Sequence, residues 1–324
     1  VEKEILEIPF KAALCFEKNK GLILPEKVPY IGMGASYNAA LVLKYLGVKI
    51  YPELASEYFA YQQQIKQFDQ AVLISQSGET TDVVRCADCF SRVVAIVNDA
   101  DSPLAKHQNT QKVIDIWAGT EHFSSSKTYI NTLLTLYLGH GIDAEKAVES
   151  ITKRFDFFQE LGNFLGKKVF KQLNRKTLTG LYILGSGPNI GTAHQAALVL
   201  AETTRLPFVG MSLAQFDNGM KEAAPRAIVI SLAPSKGKLA ERSRRVLDLI
   251  EESGAVVYEL VEDELEEKFS PISLILPFYF MANYIARKMN ISEPFVVGQK
   301  INRTEDNVPI NSEDYNNYLD SLNF

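Results

Sequence analysis

Hydrophobic and polar positions follow two rhythms along this chain. Short unbroken apolar runs give way to stretches in which apolar residues recur at helical spacing. The first rhythm marks buried strands and the second marks helices with one buried face. Tyr30-Ile31-Gly32-Met33-Gly34 reads as a strand closing on glycines, and Tyr37 to Tyr45 as the helix after it. Ala71 to Ile74, Val93 to Val97 and Val113 to Trp117 read as further strands, with helical patterns over Thr80 to Phe90 and Lys127 to Leu138. Such alternation predicts a parallel sheet covered by helices on both faces.

The scheme begins again after about Leu161. Leu181-Tyr182-Ile183-Leu184-Gly185-Ser186-Gly187 repeats the glycine-ended strand. The next helix holds Ala196-Ala197-Leu198-Val199-Leu200, the same string as Ala39-Ala40-Leu41-Val42-Leu43 in the first half. A matched strand follows each string at nearly the same spacing: Ala71-Val72-Leu73-Ile74-Ser75 and Ala227-Ile228-Val229-Ile230-Ser231. Two matched strings in one order indicate an internal duplication. The expected fold is α/β: two tandem doubly wound, flavodoxin-like parallel-sheet domains over residues 1–160 and 161–290. A charged, helical connector around Ile142 to Lys176 joins them. Residues 291–324 are polar and acidic with little periodicity, an irregular tail that carries Lys300. A tail packed across the sheet ends would bring that lysine to a ligand; a solvated surface lysine is the alternative.

Composition narrows the class. The chain has 324 residues, 46% hydrophobic and 23% charged, as in an ordinary globular protein. A net charge of −5 argues against nucleic acid as a partner, because such binding rests on a basic surface. No apolar run reaches the ~18 residues of a membrane span; the longest candidate, Ile272 to Ala282, is broken by Ser273 and Pro277. The acidic start, Val1-Glu2-Lys3-Glu4, lacks a signal-peptide core, so a cytoplasmic location is expected. Cys86-Ala-Asp-Cys89 has redox or metal spacing but no second pair, and two small buried residues one helical turn apart is the plainer reading. The four histidines are dispersed and suggest no metal cluster.

The most telling stretch is Ser75-Gln76-Ser77-Gly78-Glu79-Thr80, where a buried strand ends in hydroxyls and a glycine and a helix opens. A helix N-terminus offers unpaired N–H groups and partial positive charge, which suits a phosphate. Ser75, Ser77 and Thr80 add hydroxyl donors, and Gln76 an amide. The alternative is a polar turn with a capped helix. The second copy reads Leu-Ala-Pro-Ser-Lys-Gly after Ser231, so an anion site belongs to the first copy.

On these residues the chain resembles the sugar isomerase (SIS) domain family in its tandem form. It is similar to the isomerase half of glucosamine-6-phosphate synthase and to archaeal glucosamine-6-phosphate deaminases, from about Tyr30 to Thr304. Ser75 to Thr80 carries the strongest motif, and Met33-Gly34-Ala35-Ser36-Tyr37-Asn38 matches the first glycine–serine turn. Ala118-Gly119-Thr120-Glu121 and Ser124-Ser125-Ser126-Lys127 match the family's Ala-Gly-x-Glu and Ala-Ser-Thr-Lys elements, with one residue deleted between them. The resemblance implies that Ser36, Ser75, Gln76, Ser77 and Thr80 hold a sugar phosphate and that Ser125 reaches sugar hydroxyls. It implies Glu202 as the base moving a proton between C1 and C2. Lys300 is implied at ring opening or as a Schiff-base amine.

The departures are specific. Asn218 falls on the family's histidine, so it is expected to bind substrate rather than open the ring. Val199 and Gln195 fall on a helix lysine and a helix glutamate. His122 or His194 would have to stand in for the imidazole, although each is more often structural; Lys221 and Glu222 lack motif support. No glutaminase segment precedes Tyr30, which favours a deaminase converting glucosamine 6-phosphate and water to fructose 6-phosphate and ammonia. A plain aldose–ketose phosphosugar isomerase, a deglycase and a non-catalytic sugar-phosphate sensor are the competing readings. No metal or organic cofactor is expected, and a phosphosugar substrate and a homodimer are.

Overall fold

The computed structural model describes residues 2–64, 68–173 and 177–292. Two sheets lie within them, and every strand pairing is parallel. The first holds β1 (Pro29–Gly32), β2 (Tyr51–Leu54), β3 (Gln70–Ile74), β4 (Arg92–Val97) and β5 (Thr110–Asp115), ordered β2-β1-β3-β4-β5. The second holds β6 (Leu181–Gly185), β7 (Phe208–Ser212), β8 (Ile228–Pro234) and β9 (Val256–Glu262), ordered β7-β6-β8-β9. The helices before the connector are α1 (Glu2–Leu6), α2 (Ile8–Lys18), α3 (Gly34–Tyr45), α4 (Ala55–Glu57), α5 (Thr81–Cys86) and α6 (Lys127–Gly139). The connector is α7 (Glu145–Lys153) and α8 (Phe155–Leu173). After it come α9 (Asn189–Thr204), α10 (Leu213–Asp217), α11 (Ala240–Glu252), α12 (Ser270–Leu274) and α13 (Leu276–Lys288).

In each sheet the winding reverses beside the first strand, so β1 and β3, like β6 and β8, flank a crevice at their carboxyl ends. The apolar runs became the fully buried central strands, since both faces of a parallel sheet are covered. Three details differ from the sequence reading. The strand read over Val113 to Trp117 lies at Thr110–Asp115, because Trp117 turns to φ 57° and ends the pairing. The helix read to Phe90 is α-helical only through Cys86; a 3-10 turn follows, and Phe90 returns to extended backbone to bury its ring. The apolar run at Ile272 is part of a 22-residue helical stretch, Glu267–Lys288, long and apolar enough to cross a membrane by length and composition. Pro277 does not break it because it sits in the first turn of α13, where no N–H is needed. Within the fold 89% of its apolar window is buried, with α13 packed on α8 and α9.

One apolar core runs through both sheets: Val72 and Ile96 of the first and Ile183 and Ile230 of the second belong to a single cluster. Within it α3 and α9, the helices that carry the repeated string, cross. Positions equivalent in the two copies meet there. Asn38, just before Ala39, donates its Nδ2 to Oε1 of Gln195, just before Ala196, at 3.2 Å. Gly191 permits the approach, since a Cβ there would lie 2.6 Å from the Asn38 carbonyl oxygen. This crossing sets the first copy's strand ends against the last turns of α9.

Candidate active site

The hydroxyl-rich loop forms as β3 ends. Ser75 Oγ accepts the Gly78 N–H at 3.1 Å and pairs with Thr80 Oγ1 at 3.1 Å, while Ser77 Oγ accepts the Glu79 N–H at 3.2 Å. Gly78 is required twice over: its φ is +64°, and a Cβ would lie 2.0 Å from Ser102 Oγ. The Gln76, Ser77 and Thr80 N–H groups make no backbone hydrogen bond to a described residue, so they are available to an anion. The helix that follows has only six residues, so these local groups outweigh its dipole.

Loop, α3 and α9 enclose a cavity of about 340 Å³. Ser36, Ser75, Gln76, Ser77 and Thr80 line it on the first-copy side, with Ser125 beside them and Glu202 from α9 opposite. Seven of the nine residues singled out from the sequence therefore share one space. Glu202 accepts a hydrogen bond from Ser124 Oγ at 2.5 Å. Loss of water around the carboxyl pushes Glu202 up from its ordinary value; Ser124 pulls the other way, and the charge of Glu121 adds to the rise. A carboxylate so shifted holds a proton more readily than an exposed one.

Ser124, Glu121, Thr128 and Asn98 also line the cavity and were not singled out beforehand. Glu121 organises the loop before α6. Its Oε1 accepts the Ser126 N–H at 3.1 Å, the Lys127 N–H at 3.0 Å and the Ser126 hydroxyl at 2.5 Å, and its Oε2 takes a short bond from Thr128 Oγ1. A carboxylate at a helix N-terminus satisfies orphan N–H groups and the dipole together. Loss of water pushes the Glu121 carboxyl up, against the pull of Ser126 and Thr128. The N-terminal helices grip the same loop: Glu4 accepts the His122 N–H at 2.7 Å, and the buried Lys127 reaches Glu7 at 2.5 Å. The Lys127 ammonium holds the Glu7 carboxyl below its usual range.

Other expected residues lie elsewhere. Asn218 follows α10 and lines a separate cavity of about 830 Å³ with Tyr45, Lys221, Glu222 and Arg242. Ser36 and Tyr45 sit at opposite ends of α3, so the two cavities touch that helix roughly 14 Å apart at 1.5 Å rise per residue. Lys300 lies outside the described residues. His122 lines a neighbouring cavity of about 600 Å³ that shares Gln76, Ser77, Thr80, Asn98 and Glu121 with the first. His194 lines neither of these cavities, and burial holds its imidazole below the ordinary value. Val199 is buried in the core, and Gln195 is spent on Asn38 and on the Ser125 carbonyl at 3.4 Å. Cys86 donates to the Ala55 carbonyl and Cys89 to Gln63, and burial pushes the Cys89 thiol up to about 11, which leaves little thiolate. No group of His, Cys, Asp or Glu among the described residues is placed to hold a metal ion.

The fold is one shared with phosphosugar enzymes. It is similar to glucosamine-6-phosphate deaminase of Thermotoga maritima, with a TM-score of 0.72 and 20% identity over 91% of this chain and 98% of that one. It is similar to the C-terminal domain of glucosamine-fructose-6-phosphate aminotransferase from Francisella tularensis, with a TM-score of 0.71 and 19% identity over 91% and 97%. No family model matches the sequence. In sequence the chain is similar to the isomerizing glutamine–fructose-6-phosphate aminotransferase of Pyrococcus horikoshii, 27% identical over 297 residues, which cover 81% of this chain and 49% of that protein. The chain spans about half the length of the curated relatives it matches.

Proposed function

We propose that the chain is a phosphosugar isomerase-type enzyme, and that its reaction is isomerising deamination: glucosamine 6-phosphate and water to fructose 6-phosphate and ammonia. The observation that carries this reading is the single cavity in which the Ser75–Thr80 loop faces Glu202. The phosphate rests on the loop hydroxyls and N–H groups, and the sugar chain extends toward α9. Glu202, ionised, takes the proton from C2 and returns it to C1, passing through an enolamine; hydrolysis of the resulting C2 imine releases ammonia. Ser36, Gln76 and Ser125 hold the substrate, and Ser124 steadies the charged form of Glu202.

One observation favours a second reading, in which an aldose–ketose pair interconverts without loss of an amine. Among the described residues, no lysine, arginine or histidine lines the cavity, so none of them supplies a cation to protonate a leaving amine. A homodimer belongs to the first reading and is checked by light scattering.

Purified protein is mixed with glucosamine 6-phosphate, and ammonia and fructose 6-phosphate are measured together. Equal release of both is expected. Exchange between glucose 6-phosphate and fructose 6-phosphate without ammonia moves the assignment to the second reading. Binding with neither reaction leaves a sensor.

A further inference from the structure

Four polar groups run in file along one wall of the cavity: Gln76, Ser125, Thr128 and Glu121. Gln76 Nε2 lies 2.9 Å from Ser125 Oγ, Ser125 Oγ lies 2.8 Å from Thr128 Oγ1, and Thr128 Oγ1 makes the short bond to Glu121 Oε2. Each hydroxyl has one proton to give. An ionised carboxylate can only accept, so the Thr128 proton goes to Glu121. Thr128 Oγ1 must then accept from Ser125, and Ser125 Oγ must accept from the Gln76 amide. The direction of every bond follows from the charge at one end. The other oxygen of Glu121 supports that charge, since it already accepts two backbone N–H groups and the Ser126 hydroxyl.

We infer that Glu121 is a positioning residue that fixes the polarity of this chain, so that Ser125 faces the substrate as a hydrogen-bond acceptor. Its proton is committed to Thr128 and one lone pair to the Gln76 amide, so only an acceptor position remains for the ligand. Ser124 is in the same state, because its proton is committed to Glu202. The two neighbouring serines therefore recognise donors, a hydroxyl or an ammonium group, and discriminate against phosphate oxygens, which need donors themselves. This orients the ligand: the anion goes to the 75–80 loop and the hydroxyl-bearing or amine-bearing end to the serine pair. The inference rests on the proposed phosphosugar reading and adds the specificity rule of that site.

The experiment compares two probes, fructose 6-phosphate and inorganic phosphate, by calorimetry on the full chain. Thr128→Val keeps the side-chain shape but breaks the file, freeing the Ser125 proton; Thr128→Ser keeps the hydroxyl. Thr128→Val is expected to weaken fructose 6-phosphate by tenfold or more while phosphate stays within twofold, and Thr128→Ser is expected to restore the sugar phosphate to within threefold. Glu121→Gln, whose amide donates toward Thr128 and reverses the file, is expected to reproduce the selective loss. Wild-type affinity for fructose 6-phosphate in Thr128→Val, or an equal loss for both probes, overturns the inference alone. Failure of the unaltered chain to bind fructose 6-phosphate overturns the proposed function and this inference together.

Discussion

Ser124 stands where the Ala-Ser-Thr-Lys element of the resembling family has alanine, and its hydroxyl sits 2.5 Å from the carboxylate proposed to move the proton. Replacing it with alanine tests the role of Glu202 without touching Glu202. A hydrogen bond to a charged group contributes roughly 1.5–3 kcal/mol. The cavity is polar and open enough for water to replace part of that bond, so the lower end applies. At ~1.36 kcal/mol per pKa unit, about 1.5 kcal/mol corresponds to a rise of about one unit. The sign is fixed: Ser124 stabilises the charged form, so its removal pushes the Glu202 carboxyl further up. A base is active when ionised, so the acid limb of kcat moves to higher pH by about one unit. The alkaline plateau changes by less than about threefold, and on the acid side kcat falls about tenfold.

The assay is kcat for fructose 6-phosphate formation from pH 5 to pH 9, with the melting temperature recorded beside it. Ser126→Ala is the control, because Ser126 bonds Glu121 and not Glu202. Its acid limb is expected to stay within a few tenths of a unit of wild type. An acid limb that does not move in Ser124→Ala, or that moves to lower pH, removes Glu202 as the titrating base. A limb that moves equally in the control shows a general disturbance of the loop and also refutes the reasoning.

Three other perturbations reach different parts of the argument. Glu202→Gln is expected to abolish turnover while fructose 6-phosphate still binds within about threefold by calorimetry, because the amide keeps the shape but not the basicity; residual turnover above about 1% would sink the assignment. Thr80→Ala is expected to raise KM by roughly tenfold or more with kcat nearly unchanged, since a donor to a charged phosphate contributes roughly 1.5–3 kcal/mol; an unchanged KM places the phosphate elsewhere. Arg154→Ala leaves the carboxylate of Glu262, 1% exposed, without the guanidinium 2.9 Å away, at a cost of roughly 3–5 kcal/mol. Burial pushes the Glu262 carboxyl up, but Ser273, Arg154 and two backbone N–H groups together hold it below the ordinary value. Its stabilisation is thus present above the unfolded value of ~4.3 and is lost as pH falls through the folded one. Urea midpoints of wild type and variant should therefore converge from pH 7 to pH 3, and a constant gap contradicts this account.

The fold was legible where burial is complete. β1, β3, β6 and β8 are enclosed on both faces, so their residues are predominantly apolar and announce themselves. β2, β7 and β9 went unread because each lies at a sheet edge and is only partly covered, so Tyr51–Leu54, Phe208–Ser212 and Val256–Glu262 mix polar residues with apolar ones. The repeated string also pointed at more than duplication. It marks the face on which α3 and α9 cross, and small residues at Ala39, Ala40, Ala196 and Ala197 with glycine at 191 let two backbones approach closely.

The site was legible only in its local part. The Ser75–Thr80 loop holds its chemistry in six consecutive residues, so its donors can be read without knowing the fold. The groups that prepare the rest are far apart in sequence: Ser124 and Glu202, Glu4 and His122, Glu7 and Lys127. Glu4 and Glu7 carry no motif, and glutamates near a chain start are ordinarily solvated. Their partners become visible only once α2 packs on α6. Asn218 was named from a motif position, and within one chain the fold sets it beside a different cavity, at the far end of α3 from Ser36. The loop from Glu121 to Thr128 is thus gripped from the N-terminal helices on one side and by its own carboxylate on the other, and its two cavity-lining serines have no protons left to give. Recognition by such a wall depends less on which residues line it than on which way their hydrogen bonds run, and that direction is set by the carboxylates of Glu121 and Glu202.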